Sequence, residues 1–144
     1  SSLTAFGGIS SYVGPQGPLV GVFLSDAIPD STAPVGLNFT PAGLGIDFAS
    51  LSPSLGQGFY IGDGRSAANT FQEFIAPTGA TRLFLGIPDG FGFGGAPGAY
   101  DDNDGSYSVR IGINQVPTIP EPTSMLLMAL GLAGVLCAGR QRRG

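Results

Sequence analysis

Residues 125–139 form an uninterrupted run without a charged side chain, and three arginines follow it closely. The run is 15 residues long, whereas a helix that crosses the hydrocarbon core comfortably needs about 20. Thr123 and Ser124 extend it at the front, and arginine stems that reach the interface extend it behind, so the segment is just long enough to span. The alternative is a C-terminal core helix of a soluble domain. Because a surface helix needs a polar face and this segment has none, we predict a transmembrane helix over residues 123–144.

The flanks of this helix predict how the chain is oriented. Pro117, Pro120 and Pro122 lack a backbone donor and restrict the residue before them, so residues 116–122 are expected to form a stiff linker. The positive charges at the far end place the C-terminus in the cytoplasm and residues 1–122 across the membrane. The membrane anchor is formed by Met125, Leu126, Leu127, Leu130, Leu132, Val135 and Leu136. The basic stop is formed by Arg140, Arg142 and Arg143.

A Pro-Glu-Pro triplet, an apolar helix and a terminal arginine cluster follow one another in this tail. The tail resembles the PEP-CTERM sorting signal of exported Gram-negative bacterial proteins. The residues that carry the resemblance are Pro120, Glu121, Pro122, Ser124, Gly131, Gly134 and the basic stop. The resemblance implies anchoring in the inner membrane, processing near the triplet by a membrane-embedded exosortase, and a final location at the cell surface or in the extracellular matrix. Because an exported protein needs a signal peptide, we expect this sequence, which begins Ser-Ser-Leu, to be a mature form or a fragment.

The charge of the remaining 115 residues limits the partners they can take. Nine acidic residues against three arginines leave about six net negative charges, which disfavours nucleic acid and suits metal cations. The chain has no histidine and no lysine, and its single cysteine, Cys137, lies in the predicted helix. The domain has no histidine or lysine base and no reactive thiol, so we expect a protein that is not an enzyme. The alternative is a glycosidase with a pair of carboxylates, but nothing in the sequence localises such a pair.

Short apolar or alternating runs separated by Gly and Pro predict an all-β domain over residues 1–115. Residues 19–24 are apolar on both faces, which is typical of a central strand. Residues 81–87 and 107–113 alternate, and in the second run Tyr107, Val109, Ile111 and Ile113 are expected to face inward. Further strands are predicted at residues 8–13, 36–39, 59–61 and 70–76, and residues 45–55 fit a short helix or an ordered loop. About seven short strands favour a jelly-roll-like β-sandwich.

The long segment between the last two predicted strands, residues 88–106, is called the acidic loop here. It contains four carboxylates and a carboxamide threaded with glycine. Calcium takes six to eight oxygen ligands, some of them carbonyls, so this composition favours a Ca²⁺ site over a merely solvated acidic loop. Loops this long are usually functional or disordered.

Residues 76–112 resemble the C-terminal half of the PA-IL-like, galactose-binding lectins. The resemblance rests on Ala76-Pro77, residues 80–85, Asp89, residues 97–100, Asn103, residues 105–109 and Ile111-Gly112. Those lectins are small jelly-roll sandwiches in which one Ca²⁺ at the rim is completed by sugar hydroxyls. Transferred by position, the resemblance implies ligands at Asp89, the Ala99 carbonyl, Asp102 and Asn103, with Asp101 or Asp104 assisting.

Two departures from the lectin pattern weaken the prediction of sugar binding more than the prediction of metal binding. Residues 90–96 are an insertion, and the sugar-contacting histidine of the family has no counterpart. The sequence therefore predicts an exported, lectin-like domain that binds Ca²⁺, with carbohydrate or exopolysaccharide as a further partner. The alternative is a structural exopolysaccharide or envelope protein without a specific ligand.

Overall fold

The computed structural model describes residues 1–115, and within them Ser1–Ser106 form one compact unit. The strands are β1 Ser2–Leu3, β2 Tyr12–Val13, β3 Val20–Leu24, β4 Leu37–Asn38, β5 Ser50–Leu51, β6 Gly58–Tyr60, β7 Glu73–Phe74, β8 Arg82–Gly86 and β9 Gly94–Gly95. Two 3₁₀ turns, Phe91–Phe93 and Tyr100–Asp102, flank β9. The predicted all-β class is confirmed for these residues. The predicted linker at 116–122, the sorting motif and the helix at 123–144 lie outside the described residues.

Strand β3 forms the centre of a three-stranded sheet, as its continuous apolar sequence predicts. It pairs antiparallel with β6 on one side and with β8 on the other, giving the order β6-β3-β8. The register places Gly21 opposite Phe59 of β6 and opposite Leu85 of β8. The prediction of a central strand at residues 19–24 is confirmed.

A second sheet has four two-residue strands in the order β4-β2-β1-β9. Strands β1 and β2 are antiparallel, with Leu3 opposite Tyr12, whereas β9 joins β1 and β4 joins β2 in parallel. A third ladder pairs β5 with β7 in parallel. Residues 45–55 therefore form an ordered loop that includes β5, and the helix alternative for them is wrong.

An aromatic core connects these sheets. Tyr12, Phe23, Phe39 and Phe59 form the buried cluster. The Phe59 ring stacks on Phe23 at a centroid distance of 5.1 Å and on Phe74 at 5.2 Å. Phe39 joins the two larger sheets, since its ring lies 5.9 Å from Tyr12 of β2 and 6.0 Å from Tyr60 of β6. Closure into a jelly-roll sandwich stays a prediction.

The predicted strand at residues 107–113 is wrong. No strand includes these residues, and the side chains expected to face inward are exposed, Val109 by 41% and Ile113 by 77%. Alternation shows which side chains a strand would bury, but a strand also requires main-chain pairing with a neighbouring strand, and residues 107–113 form none. The compact unit ends at Ser106, nine residues before the predicted domain boundary at 115.

Among residues 1–115 no helix is long and apolar enough to cross a membrane.

Candidate functional site

The acidic loop is held against the β1 edge of the four-stranded sheet. Strand β9, which lies inside the predicted insertion, pairs in parallel with β1, and the Thr4 amide donates to the Gly95 carbonyl at 2.8 Å. Gly90 fits tightly here, because a Cβ at this position would lie 2.8 Å from the Ala96 carbonyl oxygen and 2.9 Å from Leu3 Cδ2. The loop is thus an ordered part of the unit.

Asp89 is the second residue of this loop and its most buried acidic residue, with 7% of its surface exposed. Its Oδ1 accepts the Gly90 amide at 2.7 Å and its Oδ2 accepts Asn103 Nδ2 at 2.7 Å. The Asp89 carbonyl accepts the Gly98 amide at 3.1 Å, which closes the loop on itself. The structure therefore brings together Asp89 and Asn103, two of the predicted ligands that are 14 residues apart in sequence.

The other predicted ligands lie near this pair in sequence, on the surface. Ala99 adopts the left-handed conformation with φ 59° and ψ 32°, directly before the turn Tyr100–Asp102. A non-glycine residue in this region costs about 1–2 kcal/mol, so surrounding contacts must hold it there. The side chains of Asp101, Asp102 and Asp104 are exposed. In the part of the chain that the structure describes, no three acidic side chains converge on one point.

The Asp89–Asn103 pair could offer oxygen ligands to a hard cation after a small rearrangement. The side-chain amide of Asn103 donates to the Asp89 carboxylate, and rotation of its terminal group would present the amide oxygen instead. No arginine of residues 1–115 contributes to the hydrogen bonds of the Asp89 carboxylate, which come from one main-chain and one side-chain amide. A buried carboxylate that has only neutral donors carries an uncompensated charge, and a cation beside it would interact with that charge more strongly than in water.

An apolar groove of about 300 Å³ lies beside the loop, between the two larger sheets. Its lining includes Phe6, Tyr12, Phe84, Ile87 and Tyr100, and none of its lining residues is charged. Tyr100 therefore belongs both to the groove and to the acidic loop. Sequence reasoning did not find this groove, because its residues come from five separate segments of the chain and no local pattern connects them.

Tyr12 is unusual within the groove lining. Its hydroxyl is buried without a hydrogen-bond partner among the described residues. Burial, and to a smaller extent the neighbouring Tyr60, raises the pKa of Tyr12 above its ordinary value. Burial also raises the pKa of Tyr60, with Asp63 adding to the effect. Both phenols are therefore held in their neutral form, which suits a packed core position more than proton transfer at neutral pH.

The comparison with protein families identifies the tail. The model of the PEP-CTERM protein-sorting motif matches residues 118–143, a range that contains the predicted triplet Pro120, Glu121 and Pro122 and the basic stop. The chain thus carries this sorting motif, which implies export, anchoring at the membrane and processing there by an exosortase. No curated protein and no solved structure matches the chain. The resemblance of the domain to PA-IL-like lectins stays a prediction.

Proposed function

We propose that this chain is a non-enzymatic protein that is released to the cell surface or extracellular matrix and presents a Ca²⁺-binding β domain there. The match of residues 118–143 to the sorting motif is the observation that carries the first half of this function. The composition of the domain agrees with it, since an excess of acidic over basic residues suits an exterior rich in divalent cations.

Each part of the tail has a role in this function. Pro120, Glu121 and Pro122 mark the place where the exosortase acts, in a linker that the sequence predicts to be stiff because of its prolines. The apolar run at residues 125–139 anchors the chain in the membrane until that step. Arg140, Arg142 and Arg143 keep the C-terminus on the cytoplasmic side, so the triplet is presented on the opposite face.

Replacement of the triplet tests the sorting role. In a host that has an exosortase, the full chain is expected in the surface and medium fractions, whereas the variant with alanine at residues 120, 121 and 122 is expected to accumulate in the membrane fraction. Pro117→Ala is the matched control, because Pro117 belongs to the same linker but lies outside the matched range. Equal distribution of the triplet variant and the control would contradict the sorting role.

The calcium site is assigned to Asp89, Asn103, Asp102 and the Ala99 carbonyl, with Asp101 or Asp104 assisting. What supports it is the buried Asp89 carboxylate in hydrogen-bonding contact with Asn103. Three further carboxylates follow within residues 101–104. Adjacent carboxylates repel one another, and a divalent cation would offset both this repulsion and the cost of burying the Asp89 carboxylate.

Thermal unfolding of the full chain in detergent, with Ca²⁺, with Mg²⁺ and with a chelator, tests this assignment. A ligand that binds only the folded state at 100 times its dissociation constant stabilises by about 2.7 kcal/mol. Ca²⁺ is expected to raise the midpoint more than Mg²⁺, because the loop offers many flexible oxygen ligands. Asp89→Asn and Asn103→Ala should abolish the rise, and Asp30→Asn, at an exposed position, should keep it. Coincident curves would remove the calcium site and leave the sorting role intact.

Carbohydrate is the second partner in this function. Phe91, whose side chain is 93% exposed, and Tyr100, which is 57% exposed, place aromatic surface on the acidic loop that a sugar ring can stack upon. A glycan-binding assay with sugar competition separates this role from that of a structural exopolysaccharide or envelope protein. Binding that chelator removes and Ca²⁺ restores supports the lectin-like role, whereas the absence of any competed binding supports the structural one.

A further inference from the structure

Strand β8 lies at the edge of the three-stranded sheet and is exposed. Among residues 1–115 it pairs only with β3. Its three central side chains are apolar, and Leu83, Phe84 and Leu85 are exposed by 37%, 52% and 37%. An exposed apolar edge strand is a template for a further strand.

The hydrogen bonds of β3 show which main-chain groups of β8 are directed outward. The carbonyl of Leu19 accepts the Ile61 amide at 3.0 Å and that of Phe23 accepts the Gly56 amide, so the odd-numbered residues of β3 bond towards β6. The even-numbered residues of β3 therefore bond towards β8, where Val20, Val22 and Leu24 lie opposite Gly86, Phe84 and Arg82. Because bonding direction alternates along an antiparallel strand, the main-chain groups of Leu83 and Leu85, between these positions, are directed away from β3.

This edge lacks the features that normally prevent pairing. Residues 82–86 contain no proline, no lysine and no carboxylate, although these are the residues that protect natural edges. The one charge, on Arg82, is held by its own molecule. Its Nε donates to the Ser25 carbonyl at 2.8 Å and its Nη2 donates to the Ala27 carbonyl at 2.8 Å.

We propose that the β8 edge binds a second copy of this chain, with the two β8 strands antiparallel about a two-fold axis at Phe84. In that register Phe84 faces Phe84, Leu83 faces Leu85 and Arg82 faces Gly86. The register is thus self-complementary, as a two-fold interface requires. No like charges oppose each other, and apolar residues meet at the centre.

The composition of the edge and the space beside it favour a second copy as the occupant. Residues 1–115 carry about six net negative charges, but the edge itself has no acidic residue, so the repulsion between two copies is smallest where their β8 strands meet. A Cβ on Gly86 would meet nothing within 4 Å, which leaves room for the arginine of the facing strand. Other occupants, such as an unrelated peptide, are outcomes of the tests below.

Two substitutions of Gly86 are expected to change the affinity of this dimer in opposite directions. Gly86→Arg places an arginine opposite Arg82 twice in the dimer, and Gly86→Glu places a glutamate there. With two cross-strand pairs, the dimer dissociation constant is expected to rise about two- to thirty-fold with arginine and to fall by a similar factor with glutamate. Gly98→Arg is the matched control, since Gly98 is also in open space but lies off the edge.

Sedimentation velocity of the full chain in detergent over a dilution series measures these constants. Opposite shifts for the two Gly86 variants, with no shift for Gly98→Arg, support the proposal. A monomer at all concentrations overturns it. So does a dimer whose dissociation constant is the same in all three variants, because that dimer forms elsewhere, for example through the tail.

Disulfide trapping tests the register independently. Phe84 would face its symmetry mate as a non-hydrogen-bonded pair, with Cα atoms about 4.5 Å apart, which lies within disulfide range. In a Cys137→Ser background, Phe84→Cys is expected to form a covalent dimer on mild oxidation, and Leu83→Cys, which faces Leu85, much less. Equal trapping of the two variants, or none, overturns the register.

Discussion

Gly21 is expected to be the position where a single methyl group damages the sheet most. It lies in the middle of β3, opposite Phe59, and a Cβ there would lie 2.5 Å from Phe59 Cζ and 3.0 Å from Ile61 Cδ1. The Phe59 ring cannot move away easily, because it is 1% exposed and stacks on Phe23 and on Phe74. Overpacking of this kind costs about 1–3 kcal/mol. For a domain of about 100 residues, each kcal/mol of lost stability lowers the midpoint of thermal unfolding by about 4–8 °C.

Urea unfolding followed by circular dichroism measures this cost. Gly21→Ala is expected to lower the denaturation midpoint without changing the slope, since the exposed surface on unfolding stays the same. Gly58→Ala is the matched control, because Gly58 is buried in the neighbouring β6 yet a Cβ there would only approach Ser10 Oγ at 3.9 Å. In a Phe59→Leu background the cost of Gly21→Ala should shrink, giving a coupling energy between the two sites. If Gly21→Ala and Gly58→Ala unfold alike, the packing described around Phe59 is refuted.

Two further predictions concern buried polar groups. Tyr12→Phe removes the unpartnered hydroxyl and is expected to be neutral or stabilising at pH 7. Burial raises the pKa of Tyr12 in the folded protein above the value of about 10 that the phenol has in the unfolded chain. The folded state of the wild type therefore keeps its full stability below about pH 10 and loses stability above it, because the phenol then ionises more easily in the unfolded chain. Tyr12→Phe should therefore lose less stability above pH 10 than the wild type or the control Tyr100→Phe, and equal alkaline losses would contradict this. Gln72→Ala removes the buried amide that donates to the Ile46 and Phe48 carbonyls and should cost about 1–3 kcal/mol in urea unfolding. Gln16→Ala, at an exposed position, should change the free energy of unfolding very little. Similar losses for the two variants would contradict a stabilising role of the hydrogen bonds from Gln72 to the Ile46 and Phe48 carbonyls.

The central part of the fold could be predicted from the sequence, because its two five-residue strands are long enough to show a pattern of apolar residues. The apolar run at residues 19–24 identified β3, and the alternating run at 81–87 identified β8. The two-residue strands β5 and β9 could not be found this way, since two residues are too short to show a period. Strand β9 consists of two glycines, so its pairing depends on main-chain geometry alone. The run at 107–113 shows the reverse failure, a clear pattern without a strand.

The candidate site was predictable in part for a similar reason. A concentration of oxygen ligands in a glycine-rich loop is visible in sequence, and the structure places Asp89 against Asn103. Which of the remaining carboxylates turn towards that pair depends on loop torsions, such as the left-handed Ala99, that composition does not determine. The sorting motif needed no folding information, because its features are contiguous and were confirmed by the match at residues 118–143.

The most direct test of the central claim is the mass of the protein after export. The full chain is produced in a host with an exosortase and in the same host lacking it, and the recovered protein is analysed by intact mass and by its C-terminal peptide. We expect a C-terminus near Pro120-Glu121-Pro122 in the first host and the complete tail, ending at Gly144, in the second. A complete tail in both hosts would contradict the account of this chain as an exosortase-processed, exported protein.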